Sequence, residues 1–239
     1  VLGCDIDNLE RNMIILTGAS GGIGQAILPS LAEMDDVIAV SHSKTINIDK
    51  LSRVESYQVD LTSESKVNEF VSKVRNKLFK VVLIHAAVIS LDNIAVKFKT
   101  EDWNRSINLN LNGNFFLTRA LLTTMIKDDW GRVIHMSSIA GMRGTPGTIA
   151  YSTAKTGLLG MSKVLANEYA RFGITSNVII PGYFDTGLID TLDKKSRQKI
   201  LESIPSNKLG RPYNIVNAID FLIKSEYVNG SAINIDGGI

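Results

Sequence analysis

Short apolar runs recur along the chain, and most are followed by a stretch with helical periodicity. The runs at 13–16, 37–40 and 81–84 carry no polar alternation, and further strands are predicted at 56–59, 132–136, 175–180 and 232–235. A strand with one solvated face alternates polar and apolar residues. A strand covered on both faces does not. Between the runs, Val67, Phe70, Val71, Val74 and Leu78 recur at steps of three and four, as one buried helix face does. Trp103, Ile107, Leu111 and Phe115 are spaced four apart in a long helical stretch over 101–127. Helices are also expected over 23–34, with Pro29 inside, and over 152–171, 194–201 and 213–223. Apolar strands alternating with helices give an α/β fold: a doubly wound, Rossmann-type parallel sheet of about seven strands with helices on both faces. The alternation runs from residue 13 to residue 235 without a linker or a repeat. One domain over 13–239 is therefore expected, preceded by an N-terminal arm over 1–12.

Composition narrows the partners. The 239 residues include 26 Lys and Arg against 24 Asp and Glu, a net charge of +2, with no basic run. That balance argues against nucleic acid as the main partner. No apolar stretch is long enough to cross a bilayer. The single cysteine, Cys4, cannot form an internal disulfide, and no cluster has metal-ligand spacing. Val1-Leu2-Gly3-Cys4 looks like the end of a lipoprotein cleavage site without its basic and apolar leader. Cys4 is read as a thiol on a terminal arm, and the cytoplasm as the compartment.

The first predicted strand runs into Thr17-Gly18-Ala19-Ser20-Gly21-Gly22-Ile23-Gly24 and then into a helix. Glycines allow a sharp turn and close approach of a phosphate to the backbone. The helix N-terminus adds unpaired N–H groups and the positive end of its dipole. Glycines also mark ordinary turns, but this turn has the strand-to-helix context that a phosphate site requires.

A second group carries chemistry. Tyr151 and Lys155 are four apart at the start of a helix and so share a face. Ser138 lies just beyond the strand at 132–136, on the side of a parallel sheet where ligands bind. A free tyrosine has a pKa of about 10 and is a poor acid near neutrality. A neighbouring ammonium lowers that value. A hydroxyl such as that of Ser138 can hold a substrate oxygen where negative charge develops. Taken alone, Tyr-x-x-x-Lys reads equally as two snorkelling side chains on a helix surface.

Together, Thr17-Gly-x-x-x-Gly-x-Gly24, Ser138, Tyr151-Ser-Thr-Ala-Lys155-Thr-Gly157 and Asn177-Val-Ile-Ile-Pro181-Gly182 resemble the motifs of the short-chain dehydrogenase/reductase family over nearly the whole chain. The resemblance implies hydride transfer between a nicotinamide nucleotide and a carbonyl carbon. Tyr151 would be the general acid. Lys155 would bind the cofactor ribose and depress the tyrosine pKa, helped by the charge of oxidised nicotinamide. Ser138 would orient the carbonyl. Asn110 matches the family asparagine that anchors a water in the proton relay, with Asn108 and Asn112 close by; a polar residue bonding local backbone is the other reading.

The same resemblance marks a cofactor site. It comprises Thr17, Gly18, Ser20, Gly21, Gly22, Ile23 and Gly24 in the turn, and Asp60 and Leu61 at the adenine. It continues through His85, Ala86 and Ala87 after the fourth strand, Pro181 and Gly182, Thr186 near the nicotinamide amide, and Tyr151 and Lys155. Thr62 is also a candidate helix N-cap. The second strand ends in Ser41-His42-Ser43-Lys44, with no acid to repel a 2′-phosphate, so NADP(H) is favoured over NAD(H). A solvated loop is the competing reading of His42 and Lys44. Gly21 stands where many family members that use NADP carry a basic residue.

His85-Ala86-Ala87-Val88 departs from the family's usual Asn-Asn-Ala-Gly. His85 is either a substitute donor or a satisfied core histidine, and the turn at Val88 is expected to differ because valine resists positive φ. Gly131-Arg132-Val133, Arg171-Phe-Gly-Ile174, Pro181-Gly-Tyr183 and the ending Asn234-Ile-Asp-Gly-Gly238 are most similar to 3-oxoacyl-(acyl-carrier-protein) and acetoacetyl-CoA reductases. That likeness implies a small-molecule or acyl-thioester substrate, with the thioester carried on an acidic carrier protein that Arg132 and Arg171 would contact. It also implies a substrate lid over about 184–205 and a homotetramer built on the two long helices and the C-terminal segment, a dimer being the other option. Sugar, polyol and secondary-metabolite carbonyls stay open, as does a nucleotide-binding member without turnover.

Overall fold

The computed structural model describes residues 11–186, 189 and 193–239. Cys4 and nearly all of the expected N-terminal arm lie outside the described residues, as do five positions within the expected lid.

Seven strands form one sheet: β1 (Met13–Thr17), β2 (Asp36–Ser41), β3 (Val54–Gln58), β4 (Val81–His85), β5 (Gly131–Met136), β6 (Ile174–Pro181) and β7 (Ala232–Ile235). Their order is β3-β2-β1-β4-β5-β6-β7, and every neighbouring pair is parallel. The helices are α1 (Gly22–Met34), α2 (Glu64–Val74), α3 (Thr100–Ile107), α4 (Gly113–Lys127), α5 (Ile139–Arg143), α6 (Ile149–Tyr169), α7 (Lys194–Ser203) and α8 (Pro212–Lys224).

The unbroken apolar strands are explained by two cores. Successive side chains of a strand point to opposite faces. Ile14 and Leu16 of β1 therefore pack with Leu28 and Leu31 of α1 and Ile219 and Leu222 of α8. Ile15, between them, packs with Phe70 of α2, Leu117 and Leu121 of α4 and Leu165 of α6. Each fully buried Leu or Ile contributes about 1.5–3 kcal/mol, so both layers are needed to hold the sheet.

Besides the unexpected short helix α5 and an earlier start of α6, three features differ from expectation. The third strand is Val54–Gln58 rather than 56–59. It is an edge strand, and only Val54 among its residues is buried, so its pattern is weakly apolar. The single helix expected over 101–127 is split by a π-helical turn, Asn108–Asn112, between α3 and α4. The N-cap of α2 is Ser63, whose hydroxyl accepts from Lys66 N, and not Thr62.

Strand order reverses between β1 and β4. The loops leaving the carboxyl ends of these neighbours run to opposite faces, which opens a crevice there. The glycine turn, the segment after β2 and the loop after β4 line that crevice.

Candidate active site

The turn from β1 to α1 is shaped by contacts that only glycine allows. Gly18 has φ +67°, and a Cβ there would lie 2.6 Å from the backbone of Ala86 and Ala87. At Gly24 a Cβ would lie 2.2 Å from the carbonyl oxygen of Gly18. The turn is thereby pressed against the end of β4. Thr17 completes the seam, because its Oγ1 accepts from the N–H groups of both Ala86 and Ala87, each at 3.1 Å. Among the described residues no side chain caps α1, and its first turn holds no acid. Its leading N–H groups are therefore left without a side-chain cap, as an anion site requires. Gly18→Ala adds strain at positive φ and a clash with backbone. It is expected to abolish nucleotide binding by fluorescence titration and to lower the melting temperature by several degrees.

The crevice is a cleft of about 510 Å³. It brings together Gly18, Ser20 and Gly21 of the turn, the Ser41-His42-Ser43-Lys44 segment, Asp60, Leu61 and Thr62, and Ala86 and Ala87. Asp60 is held in a tight local turn, its Oδ1 accepting from Thr62 N at 2.9 Å and from Thr62 Oγ1 at 2.6 Å. The hydrogen bond from the Thr62 hydroxyl keeps the Asp60 carboxyl below the usual carboxylate range. Val40, Val59, Val88, Ile89, Arg105, Asn108 and Leu109 also line the cleft and were missed by sequence reasoning. The last three share the segment that carries Asn110, which is the signal that could have found them. Val88 has no positive φ, so the turn after β4 needs none of the freedom that a glycine would give.

Other expected cofactor residues stand outside the cleft lining. His85 is a correction. It is 1% exposed, and its Nε2 bonds Thr118 Oγ1 of α4 at 2.8 Å, so its side chain belongs to the core. Thr17 is fully buried and acts through the Ala86 and Ala87 amides. Gly22 and Thr186 meet each other, Thr186 Oγ1 donating to Gly22 O at 2.9 Å, which ties the segment after β6 to the glycine turn. Pro181 ends β6, and the backbone of Gly182 packs so closely on Asp236 that a Cβ would lie 2.7 Å from its Cα. Ile23, partly buried in the first turn of α1, packs against the core.

Ser138, Tyr151 and Lys155 stand beyond the ends of the central strands. Ser138 is the N-cap of α5, its Oγ accepting from Ala140 N at 3.2 Å. Tyr151 lies in the first turn of α6, and Lys155 follows one turn later. Lys155 Nζ donates to Met136 O at 2.6 Å and lies 5.7 Å from the centre of the Tyr151 ring. The backbone is fixed as well, because Ser137 Oγ donates to Lys155 O at 2.9 Å.

Burial controls both titrating groups. It lowers the Lys155 pKa from the ordinary lysine value to about 8. It raises that of Tyr151, against the pull of a hydrogen bond with Ser138 and with the added push of the Asp92 charge. The expected lowering of the Tyr151 pKa by Lys155 is thus not the property of the protein by itself. Desolvation favours the neutral form of each, which keeps the proton on the phenol.

Asn110 is fully buried in the π-helical turn. Its Nδ2 donates to Ile89 O at 2.8 Å, and its Oδ1 accepts from Ile89 N at 3.1 Å. The amide clamps the loop after β4, and the main-chain carbonyl accepts from Asn114 Nδ2 at 2.7 Å. A π-turn widens the carbonyl spacing, a frequent mark of functional sites.

The expected carrier contact at Arg132 is also corrected. Arg132 is 4% exposed, donates to the carbonyls of Ile223, Gly131 and Gly173, and stacks 4.3 Å from the Trp130 ring centre. It pins the amino end of β5, and no partner can reach it. Arg171 is exposed and stacks on Phe172 at the amino end of β6, away from Tyr151 in the same chain. Among the described residues no group of three His, Cys, Asp or Glu could hold a metal, and no helix is long and apolar enough to cross a membrane.

A phosphate turn and a Ser–Tyr–Lys group meeting over the same strand ends define an oxidoreductase of the dinucleotide-binding α/β class. The chain belongs to the short-chain dehydrogenase family: the model described as short chain dehydrogenase matches residues 12–197. It is 34% identical over 236 residues to the 3-oxoacyl-[acyl-carrier-protein] reductase FabG of Rickettsia felis, covering 97% of this chain and 98% of that one. It is 33% identical over 240 residues to the protein of the same name from Escherichia coli, with the same coverage. A crystal structure from Agrobacterium tumefaciens, assigned as a 2-deoxy-d-gluconate 3-dehydrogenase with bound NADP, superposes with a TM-score of 0.87 at 29% identity, covering 96% of each chain.

Proposed function

We propose that the protein reduces a ketone to a secondary alcohol with NADPH, and that the ketone is a 3-oxoacyl thioester. One observation carries the substrate class. Asn93 N donates to Gly147 O at 2.9 Å, and Asn93 pairs with Thr148, which straps the loop after β4 to the turn before α6. On and beside these segments Ile94, Val96, Met142 and Ile149 are 52%, 87%, 53% and 42% exposed. A cluster of exposed apolar side chains is unusual on a soluble protein and marks a binding surface. It flanks Tyr151 and suits an acyl chain. The names of the FabG relatives support the same reading.

The residues fit a nicotinamide nucleotide. Gly18 to Gly24 offer backbone N–H groups for the pyrophosphate, and Asp60 and Leu61 a rim for the adenine. His42, Ser43 and Lys44 supply donors for a 2′-phosphate, with no carboxylate among residues 41–44. When bound, the nicotinamide supplies the hydride. Ser138 holds the carbonyl oxygen by a hydrogen bond, and Tyr151 donates its proton to that oxygen as charge develops. Lys155, steadied by Met136 O, binds the ribose hydroxyls and supports the phenolate left behind. The side chain of Asn110 is committed to Ile89, and its main-chain carbonyl, which already accepts from Asn114 Nδ2, offers its second lone pair to the water that resupplies the proton. Exposed Phe115 on α4 and Val164 on α6 support a homotetramer formed through these helices.

The test follows NADPH oxidation with N-acetylcysteamine thioesters of 3-oxo acids of increasing chain length. Turnover that improves with chain length is expected. Turnover of keto-sugar acids alone would establish the second reading, which the Agrobacterium neighbour favours. Nucleotide binding with no turnover of any carbonyl would establish a binding protein. Lys44→Ala is expected to raise the KM for NADPH about tenfold and to leave that for NADH unchanged, since one charge-assisted hydrogen bond is lost.

A further inference from the structure

We propose that α7 is the docking surface for the acidic protein that carries the acyl thioester, an inference that rests on the thioester reading above. The chain as a whole is nearly balanced in charge, 26 cations against 24 anions. The helix Lys194–Ser203 is not: Lys194, Lys195, Arg197 and Lys199 stand against Glu202 within the helix and Asp193 at its N-cap. Two of these charges are already engaged. Arg197 Nη2 pairs with Asp185 Oδ1 at 2.5 Å, and Glu202 accepts from Gln198 Nε2 at 3.0 Å. That leaves three exposed lysines, with exposed Lys208 following the helix. Among the described residues none of these four makes an ion pair. Lys195 and Lys199 are one turn apart and share a face.

The helix buries none of its own residues. Its start is held by Asp193 Oδ1, which accepts from Lys195 N and Ser196 N, each at 2.9 Å. Its place is fixed by the chain around it. Arg197 reaches Asp185, and the next residue, Thr186, bonds Gly22 O of the glycine turn. Beyond α7, Ser206 N donates to Gly237 O at 3.1 Å and Gly210 N to Tyr183 O at 2.8 Å. A cationic helix is therefore tied, through Asp185 and Thr186, to the glycine turn at the carboxyl end of the sheet. A thioester on a carrier arm must be handed to Tyr151 from the rim at that end of the sheet. An acidic carrier is the occupant that complements this rim, and unpaired like charges of this kind steer association. Arg132, buried in the core, cannot supply the contact.

The test compares one 3-oxoacyl group on an acidic acyl carrier protein, on coenzyme A and on N-acetylcysteamine. The variant is Lys194→Glu/Lys195→Glu/Lys199→Glu. Glutamates at 194 and 195 suit the dipole at the helix N-terminus, and circular dichroism checks that the helix survives the third substitution, which lies beyond the first turn. With the carrier substrate, kcat/KM is expected to fall about 10- to 100-fold and to lose its salt dependence. With N-acetylcysteamine it should fall far less, because the three lysines are exposed on α7 and a small thioester has no acidic carrier for them to steer. Direct binding of the carrier, read by fluorescence anisotropy, should weaken by the same factor whether or not turnover occurs. An equal fall with N-acetylcysteamine would overturn the proposal, because α7 would then shape the site itself. An equal fall with the coenzyme A thioester would also overturn it, because the lysines would then recognise phosphate. Wild-type protein that fails to bind the carrier overturns it alone. Wild-type protein that binds the carrier in a salt-sensitive way yet reduces no thioester retains the docking surface and removes the reductase reading.

Discussion

Tyr151→Phe is expected to lower kcat for carbonyl reduction by about a thousandfold, the range for loss of a positioned general acid. That is about 4 kcal/mol of transition-state stabilisation. Phenylalanine keeps the ring, its burial and its packing 5.7 Å from Lys155 Nζ, so nucleotide affinity should stay within about twofold. Stopped-flow absorbance and fluorescence titration separate the two quantities. An equal loss of binding would mean that the phenol holds the nucleotide rather than giving a proton. The pH dependence has a definite sign. Burial raises the Tyr151 pKa, so the phenol stays protonated through neutrality. Reduction, which consumes that proton, should be flat through neutral pH and fall on the alkaline side. Alcohol oxidation, which needs the phenolate, should rise there. Lys155, with a pKa brought to about 8, loses its charge in the same region, so its binding of the ribose should weaken as pH rises past 8.

What the sequence made legible was what periodicity and local turn chemistry determine. The apolar strands, the glycine turn and the Tyr151–Lys155 spacing each follow from a rule that acts within a few residues. The misreadings lay where distant contacts decide. β3 is an edge strand, so only Val54 is buried and its boundary leaves little trace in hydropathy. The π-turn at Asn108–Asn112 is stabilised by the bonds of Asn110 to Ile89, twenty-one residues away. Arg132 carries a charge that predicts exposure. Its burial depends on three carbonyls, two of them on β6's approach and on α8, and on Trp130. Arg105 entered the cleft lining for the same reason, since α3 is placed by packing. The Tyr151 pKa went the other way because an ammonium four residues off is a local cue, whereas desolvation is a property of the folded surroundings.

The buried histidines give the second large effect, a loss of stability in mild acid. His85 on β4 and His135 on β5 are register neighbours, and their rings stack at 5.1 Å with an interplanar angle of 9°. Both are essentially without solvent contact. Among the described residues neither nitrogen of His135 has a hydrogen-bond partner, and His85 Nδ1 has none. Desolvation brings the His135 pKa down to about 3, with the Lys155 charge acting in the same direction, and holds His85 well below its ordinary value. The unfolded chain protonates both near pH 6.5. Between that pH and 3 the unfolded state binds more protons than the native state, so stability is intact above pH 6.5 and lost as pH falls. Each histidine kept neutral costs stability by the one-proton slope over this range, and His135 alone accounts for about 4 kcal/mol by pH 3. That is comparable with the whole stability of many domains. Urea unfolding at pH 7, 6 and 5 checks this above the range where most carboxylates titrate. His135→Leu removes one buried base with no protein partner to orphan, so it should cost little at pH 7 and remove about half of the slope. A slope between pH 6.5 and 5 equal in both proteins would mean that water or ions satisfy the imidazolium in place, and that the pair imposes no acid limit on the fold.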